Sequence, residues 1–229
     1  MTPASERAPK AYDNVVACTL RGRRTSDAVE IVVERDADIA VAVLDVRAAR
    51  DQEELRTCLA ERAREAMREH EPLHVLAADL RRIVCKAVAA SVGLVAIRIS
   101  DADAKVELMN AGMPPVGCVL PDGRLLQLPP LSTDIGPRSQ KAHPYELIPL
   151  SRGSVWLLAT DGATGGSLDY SGELWASLGL PGTVNDLVDE TSEGLSQRLA
   201  AGIGSLSLPE DASLVVIPTR RERLQSGID

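Results

Sequence analysis

The stretch Ser91–Pro130 reads SVGLVAIRIS-DADA-KVELMNAGMPP-VGCVL-PDG-RLLQLPP. Its apolar runs are rich in Val, Leu and Ile and are separated only by turn-forming residues. The DADA segment is a turn. Asp122-Gly123 sits at the tip of a hairpin, where a glycine supplies the backbone freedom that a tight reversal needs. Strands joined this closely run antiparallel, because a parallel crossover needs a dozen or more residues. The sequence therefore points to an antiparallel sheet through this region.

The same reading extends in both directions. Upstream, YDNVVACTLRG, DAVEIVVERD and ADIAVAVLDV are three further strands. The first two alternate in polarity, as strands with one covered face do, and Ile39–Val46 is almost wholly apolar, as expected of a central buried strand. Between these strands and the Ser91 run the period changes. Leu55, Leu59, Ala63 and Met67 recur every four residues from Asp51 to His70, with Glu53 and Glu54 near the start, where the helix dipole favours acids. Pro72 opens a second helix, expected to run to about Ala90, with Leu73, Leu76, Leu80 and Val84 on one face. Downstream, HPYELIPL and SVWLLATDG are strands, a helical region covers Val184 to about Ala201, and ASLVVIPTRR is a last strand. Helices segregated from strands define an α+β fold, in which helices pack on largely antiparallel sheets. No repeat or long linker divides the chain, and its 229 residues suit one domain.

Composition narrows the function. A net charge of -8 argues against a general nucleic-acid binder, which needs clustered Lys and Arg for phosphate contacts. The short basic run Arg21–Arg24 reads as solvated surface. No apolar stretch is long enough to span a bilayer, so no membrane partner is expected. The polar segment MTPASERAPKAYDN lacks an apolar signal core, and a cytoplasmic protein is expected. Cys18, Cys58, Cys85 and Cys118 contain no C-x-x-C pair, so they are expected to be buried free thiols, not a zinc site. His70, His74 and His143 lack metal-ligand spacing. His70 is expected to be exposed near a helix C-terminus, and Trp156 and Trp175 are expected to pack in the core. No G-x-S-x-G elbow or G-K-[ST] phosphate loop is present.

What remains is a set of acids at strand ends. Asp27 precedes the second strand, Asp45 closes the third, Asp161 closes SVWLLATDG, and Glu210 with Asp211 precedes the last. Each can serve as a turn or cap residue. If the strand ends converge, the carboxylates would repel one another, and divalent cations with a taste for hard oxygen ligands would resolve that repulsion.

Five segments resemble one family. MNAGMPPVGCVLPDGRLLQLPP is similar to an NAGHPP hairpin followed by a D-G turn, and IPLSRGSVWLLATDGATGG to L-x-x-G-D-x-L-L-L-Y-T-D-G-V-T-E. LPEDASLVVI is similar to D-D-x-T-L-L-V, TSDAVEI to G-D-x-x-D, and AVAVLDV to G-D-V-x-G-x-G. These are motifs of the metal-dependent protein phosphatases (the protein phosphatase 2C superfamily), in their SpoIIE-like branch with its RsbU- and RsbX-type sigma-factor regulators. The resemblance runs from about Asn14 to Thr219.

It implies two packed, largely antiparallel β-sheets flanked by helices, an αββα sandwich. It places a phosphatase domain over residues 13–220, between a flexible lead-in (1–12) and a tail (221–229). It implies two Mn²⁺ or Mg²⁺ ions held by Asp27, Asp45, the carbonyl of Val46, Asp161 and Glu210 with Asp211. The implied reaction is hydrolysis of phosphoserine or phosphothreonine by a metal-activated water. The implied partner is a phosphorylated regulatory protein, an anti-sigma-factor antagonist or a stress-signalling scaffold. Arg47, Gly162 and Thr164 lie where they would meet substrate.

The chain also departs from the motifs. VRAAR follows Asp45 where the family has glycines, so Ala48 and Arg50 replace the residues that allow a close backbone turn. Met113 replaces the hairpin histidine. Arg47 brings a positive charge to the proposed metals, which either weakens cation binding or offers a phosphate ligand. Two functions therefore stay open: a working phosphatase, or a pseudophosphatase of the same fold that binds a protein partner without catalysis.

Overall fold

The computed structural model describes residues 15–20, 28–34, 38–48, 52–100, 102–160, 197 and 212–219. Its elements are β1 (Val16–Leu20), β2 (Ala28–Glu34), β3 (Asp38–Arg47), α1 (Gln52–Glu69), α2 (Leu73–Val84), β4 (Ser91–Ser100), β5 (Lys105–Ala111), β6 (Val116–Val119), β7 (Leu125–Leu128), β8 (Glu146–Pro149), β9 (Val155–Ala159) and β10 (Ala212–Pro218). They form two five-stranded sheets, ordered β1-β10-β9-β6-β7 and β2-β3-β4-β5-β8. Neighbouring strands are antiparallel throughout both sheets. The α+β sandwich read from the sequence is the observed fold. The expected helical region 184–201 falls outside the described residues apart from Gln197, which is helical.

Strand alternation builds two cores from β3 alone. Ile39, Val41 and Val43 point between the sheets, where they meet Val95, Ile97, Trp156, Leu158, Val215 and Ile217. Ala40, Ala42, Leu44 and Val46 point the other way, onto the helices. Those helices return Leu55, Leu59, Ala63 and Met67 from α1 and Leu73, Leu76, Leu80 and Val84 from α2, all buried. Each such Leu, removed from water, contributes about 1.5–3 kcal/mol. The small Ala40 and Ala42 let α1 lie close to the sheet. Arg62 ties the helices together: it donates to Asp79 of α2 at 2.6 and 2.9 Å and to Glu71 of the inter-helix turn.

Several expectations need correction. The second helix stops at Val84, well before Ala90. Beyond it the chain tightens into three-residue turns, with Lys86 N–H donating to the Ile83 carbonyl and Ala87 N–H to Val84, and Ala89 takes a positive φ of 50°. The large apolar side chains of the stripe end at Val84 too, and beyond it only the small Ala87 and Ala90 reach the core. Cys58, Cys85 and Cys118 are free thiols, but only Cys118 is buried. Burial pushes the Cys118 thiol up to about 12, so it stays protonated. Cys58 sits on a solvent-facing position of α1 that the four-residue stripe leaves uncovered, and Cys85 caps the exposed end of α2. His70 is half-buried rather than exposed, in a left-handed turn (φ 57°) with Nε2 3.8 Å from Asp38. Trp156 is core as expected, and Trp175 lies outside the described residues, as do Cys18's side chain and Arg21–Arg24. Among the described residues no helix is long and apolar enough to cross a membrane.

Candidate metal centre

The alternation that fills the inter-sheet core continues to its rim. Val43 faces the core, so Asp45 and then Arg47 fall on the same face as β3 leaves the sandwich. Asp45 sits opposite Ala28 of β2 on one side and Gly93 of β4 on the other. Its side chain is only 13% exposed.

The sheets reach this rim together. β5 ends at Ala111, beside Leu94, and residues 112–115 carry the chain directly into β6 of the other sheet. The start of β6 lies beside the end of β9. There Thr160, fully buried, receives a hydrogen bond from Ser213 N–H at 2.9 Å and donates its own N–H to Ser213 at 3.0 Å. The topology thus brings Asp45, Thr160 and Ser213 to one end of the sandwich.

The crossing from β5 to β6 is built by the NAGMPP segment. Asn110, fully buried, donates to the Pro114 carbonyl at 2.7 Å and accepts the Met113 N–H at 3.2 Å, so one side chain pins the turn at both ends. Gly112 has φ +69°, and a Cβ there would lie 2.4 Å from the Asp134 nitrogen. Met113 folds into the inter-sheet core over Gly93, where an added Cβ would meet its Sδ at 2.6 Å. The departure from histidine at this position therefore has a packing role here. A strap then closes the rim. Ile135 exchanges both backbone hydrogen bonds with Val92 at 2.8 Å, taking the place beside β4 that β5 has vacated, and Gly112 N–H donates to Ser132. Ser132 Oγ and His143 Nδ1 lie 2.8 Å apart beneath it. Burial, with the Arg81 charge, lowers the affinity of His143 for a proton, against a weaker pull from Asp134.

Of the residues expected to hold metal, the structure describes Asp45 and Val46. Asp27, Asp161, Glu210 and Asp211 lie outside the described residues, as do Gly162 and Thr164 of the expected substrate contacts. Among the described residues no group of three or more His, Cys, Asp or Glu could hold a metal ion. Asp45 and the Val46 carbonyl are hard oxygen donors, adjacent in sequence and at the rim, which suits Mg²⁺ or Mn²⁺. Both are engaged. Arg47 donates from Nε and Nη2 to Asp45 Oδ2 at 2.9 and 2.6 Å, and Gln52, the first residue of α1, donates to the Val46 carbonyl at 2.9 Å. Each partner is the head of a flexible side chain that can exchange, so the donors fit the cation in type and position. No motif or spacing points to Gln52, whose partner is a backbone atom. Asn110 stood in a recognised motif but without a role.

Comparison with known proteins agrees with this architecture. The family model for Stage II sporulation protein E (SpoIIE) matches residues 44–220. No curated protein matches the sequence significantly. Among solved structures, RsbX in complex with magnesium superposes with a TM-score of 0.67 at 13% identity, covering 90% of this chain and 94% of that one. The catalytic domain of the serine/threonine protein phosphatase PstP with two manganese ions gives 0.64 at 16% identity, over 92% and 99%. The RsbU and RsbW domains of a Mycobacterium tuberculosis protein give 0.65 at 15% identity, over 92% of this chain and 61% of that one. The antiparallel sandwich is the fold these solved structures share, and with a family model covering well over half its length the chain belongs to the SpoIIE family.

Proposed function

We propose that the chain is a metal-dependent protein serine/threonine phosphatase that acts on a phosphorylated bacterial regulatory protein of the anti-sigma-factor-antagonist or stress-scaffold type. The observation that carries this is the position of Asp45: a nearly buried carboxylate on the inner face of β3, at the rim where both sheets end. A carboxylate placed there without function would cost stability that an apolar residue would not. Asp27, Asp45, the Val46 carbonyl, Asp161, Glu210 and Asp211 are assigned as oxygen ligands of Mn²⁺ or Mg²⁺. When bound, such cations acidify water and neutralise phosphoryl charge. Arg47, Gly162 and Thr164 are assigned to contacts with the phosphorylated segment. The Asn110 turn and the strap over β4 hold the rim in shape. The regulatory-protein partner rests on the family and on the RsbU and RsbW domains in a similar structure.

The second reading, a pseudophosphatase that binds its partner without turnover, is favoured by one observation: Arg47 and Gln52 already occupy Asp45 and the Val46 carbonyl. One experiment separates the two. A phosphatase hydrolyses a phosphoserine peptide with Mn²⁺ present and is thermally stabilised by Mn²⁺, and both effects disappear in Asp45→Asn and Asp161→Asn. Absence of turnover at saturating Mn²⁺ in the wild-type chain selects the pseudophosphatase.

A further inference from the structure

We infer that Arg47 is a tethered cation that competes with the divalent ion for Asp45, so that this chain loads metal reluctantly. The inference rests on the metal reading of Asp45 given above. Its source is strand geometry. Residues two apart on a strand share a face, so the guanidinium of Arg47 has Asp45 as its nearest neighbour along β3. Nε and Nη2 both converge on one oxygen, Oδ2, at 2.9 and 2.6 Å. A cation cannot take that oxygen until the fork withdraws. Even then a positive charge stays anchored two residues from the ion.

Burial makes the contest unequal at the two ends of the pair. Asp45 is 13% exposed and needs a positive partner, whereas Arg47 is 49% exposed and can rotate into water. Without metal, the charge of Asp45 is therefore balanced by the chain itself, and this carboxylate is spared the repulsion it would meet unpaired. Gln52 does the same for the neighbouring donor, capping the Val46 carbonyl. Because the released guanidinium is readily hydrated, the competition is finite. Losing an exposed ion pair and the residual repulsion amounts to about threefold to tenfold in metal affinity.

The test is calorimetric titration of Mn²⁺ into the wild-type chain, Arg47→Gln, Arg47→Lys and Asp45→Asn, with no substrate present. Arg47 is half-exposed, so its variants keep the core intact. Arg47→Gln is expected to bind Mn²⁺ about threefold to tenfold more tightly than wild type. Arg47→Lys, which retains the charge, is expected to stay within about twofold of wild type. If Asp45→Asn loses Mn²⁺ binding but Arg47→Gln binds no tighter than wild type, the competition is refuted and the metal site stands. If Asp45→Asn binds like wild type, or no variant binds, the metal reading fails and takes this inference with it.

Discussion

Replacing Gly112 by alanine should unseat the strap that closes the rim, and the cost can be worked from two separate terms. The first is conformational. Gly112 holds φ +69°, where a side chain costs about 1–2 kcal/mol. The second is steric. The new Cβ would lie 2.4 Å from Asp134 N, 2.6 Å from its Cα and 2.7 Å from its Cβ. Two of these are backbone atoms that cannot swing aside, so the strap must shift, at a cost of about 1–3 kcal/mol. The sum is about 2–5 kcal/mol, or a fall in Tm of about 4–20 °C for a chain of this size. Gly123 is the internal control. Its φ is +84°, but nothing lies within 4 Å of an added Cβ. Gly123→Ala should therefore carry the conformational term alone, about 1–2 kcal/mol. Urea denaturation of both variants, compared at equal m-value, isolates the steric term as their difference. Equal losses for the two would refute the close seating of residues 131–136 against the β5–β6 crossing.

Two further outcomes follow from polar groups held away from water, partly at Arg62 and fully at His143. Arg62→Ala leaves Glu71 and Asp79 without their shared guanidinium between α1 and α2. It should lower unfolding stability by about 2–4 kcal/mol, and Arg62→Lys should restore only part of the loss because an ammonium cannot fork to both acids; urea midpoints measure both. His143 resists protonation, held below its ordinary 6.5 first by burial and then by Arg81, with Asp134 opposing. The unfolded chain therefore takes up a proton that the folded chain refuses. Stability from this residue is complete above the unfolded value and declines as pH falls through 6.5 towards the lowered folded value. Thermal melts between pH 7.5 and pH 5.5 should show a smaller drop in His143→Gln than in wild type, and identical drops would contradict the assignment.

The sandwich was legible in the sequence because its signals are local. The alternation in Ala28–Glu34, the apolar run of Ile39–Val46, the four-residue stripe from Leu55 to Met67 and the Asp122-Gly123 tip each depend only on near neighbours. The second helix ends short of Ala90 although Ala87, Ala89 and Ala90 are good helix formers: past Val84 only the small Ala87 and Ala90 touch the core, and propensity alone does not sustain a turn. Residue type alone puts Cys58 and Cys85 inside, but Cys58 lies on the outer face of α1 and Cys85 caps the C-terminal end of α2, and both are exposed. Asp45 could be nominated from its place at the end of an apolar strand. Its ion pair with Arg47 follows from the same alternation, whereas the Gln52 contact, six residues on, ends on a backbone atom and the pairing of Ile135 with Val92 joins segments far apart in the chain, so neither leaves a periodic trace.

One strand, β3, supplies both the innermost packing and the acidic terminus beyond it, and this ties two properties together. A slip of β3 by a single position would turn Asp45 inside out, towards α1, while driving Leu44 and Val46 into the gap between the sheets. Mispaired forms of the chain would thus be inert as well as unstable, and any treatment that restores solubility without restoring that pairing would recover protein without recovering its carboxylate.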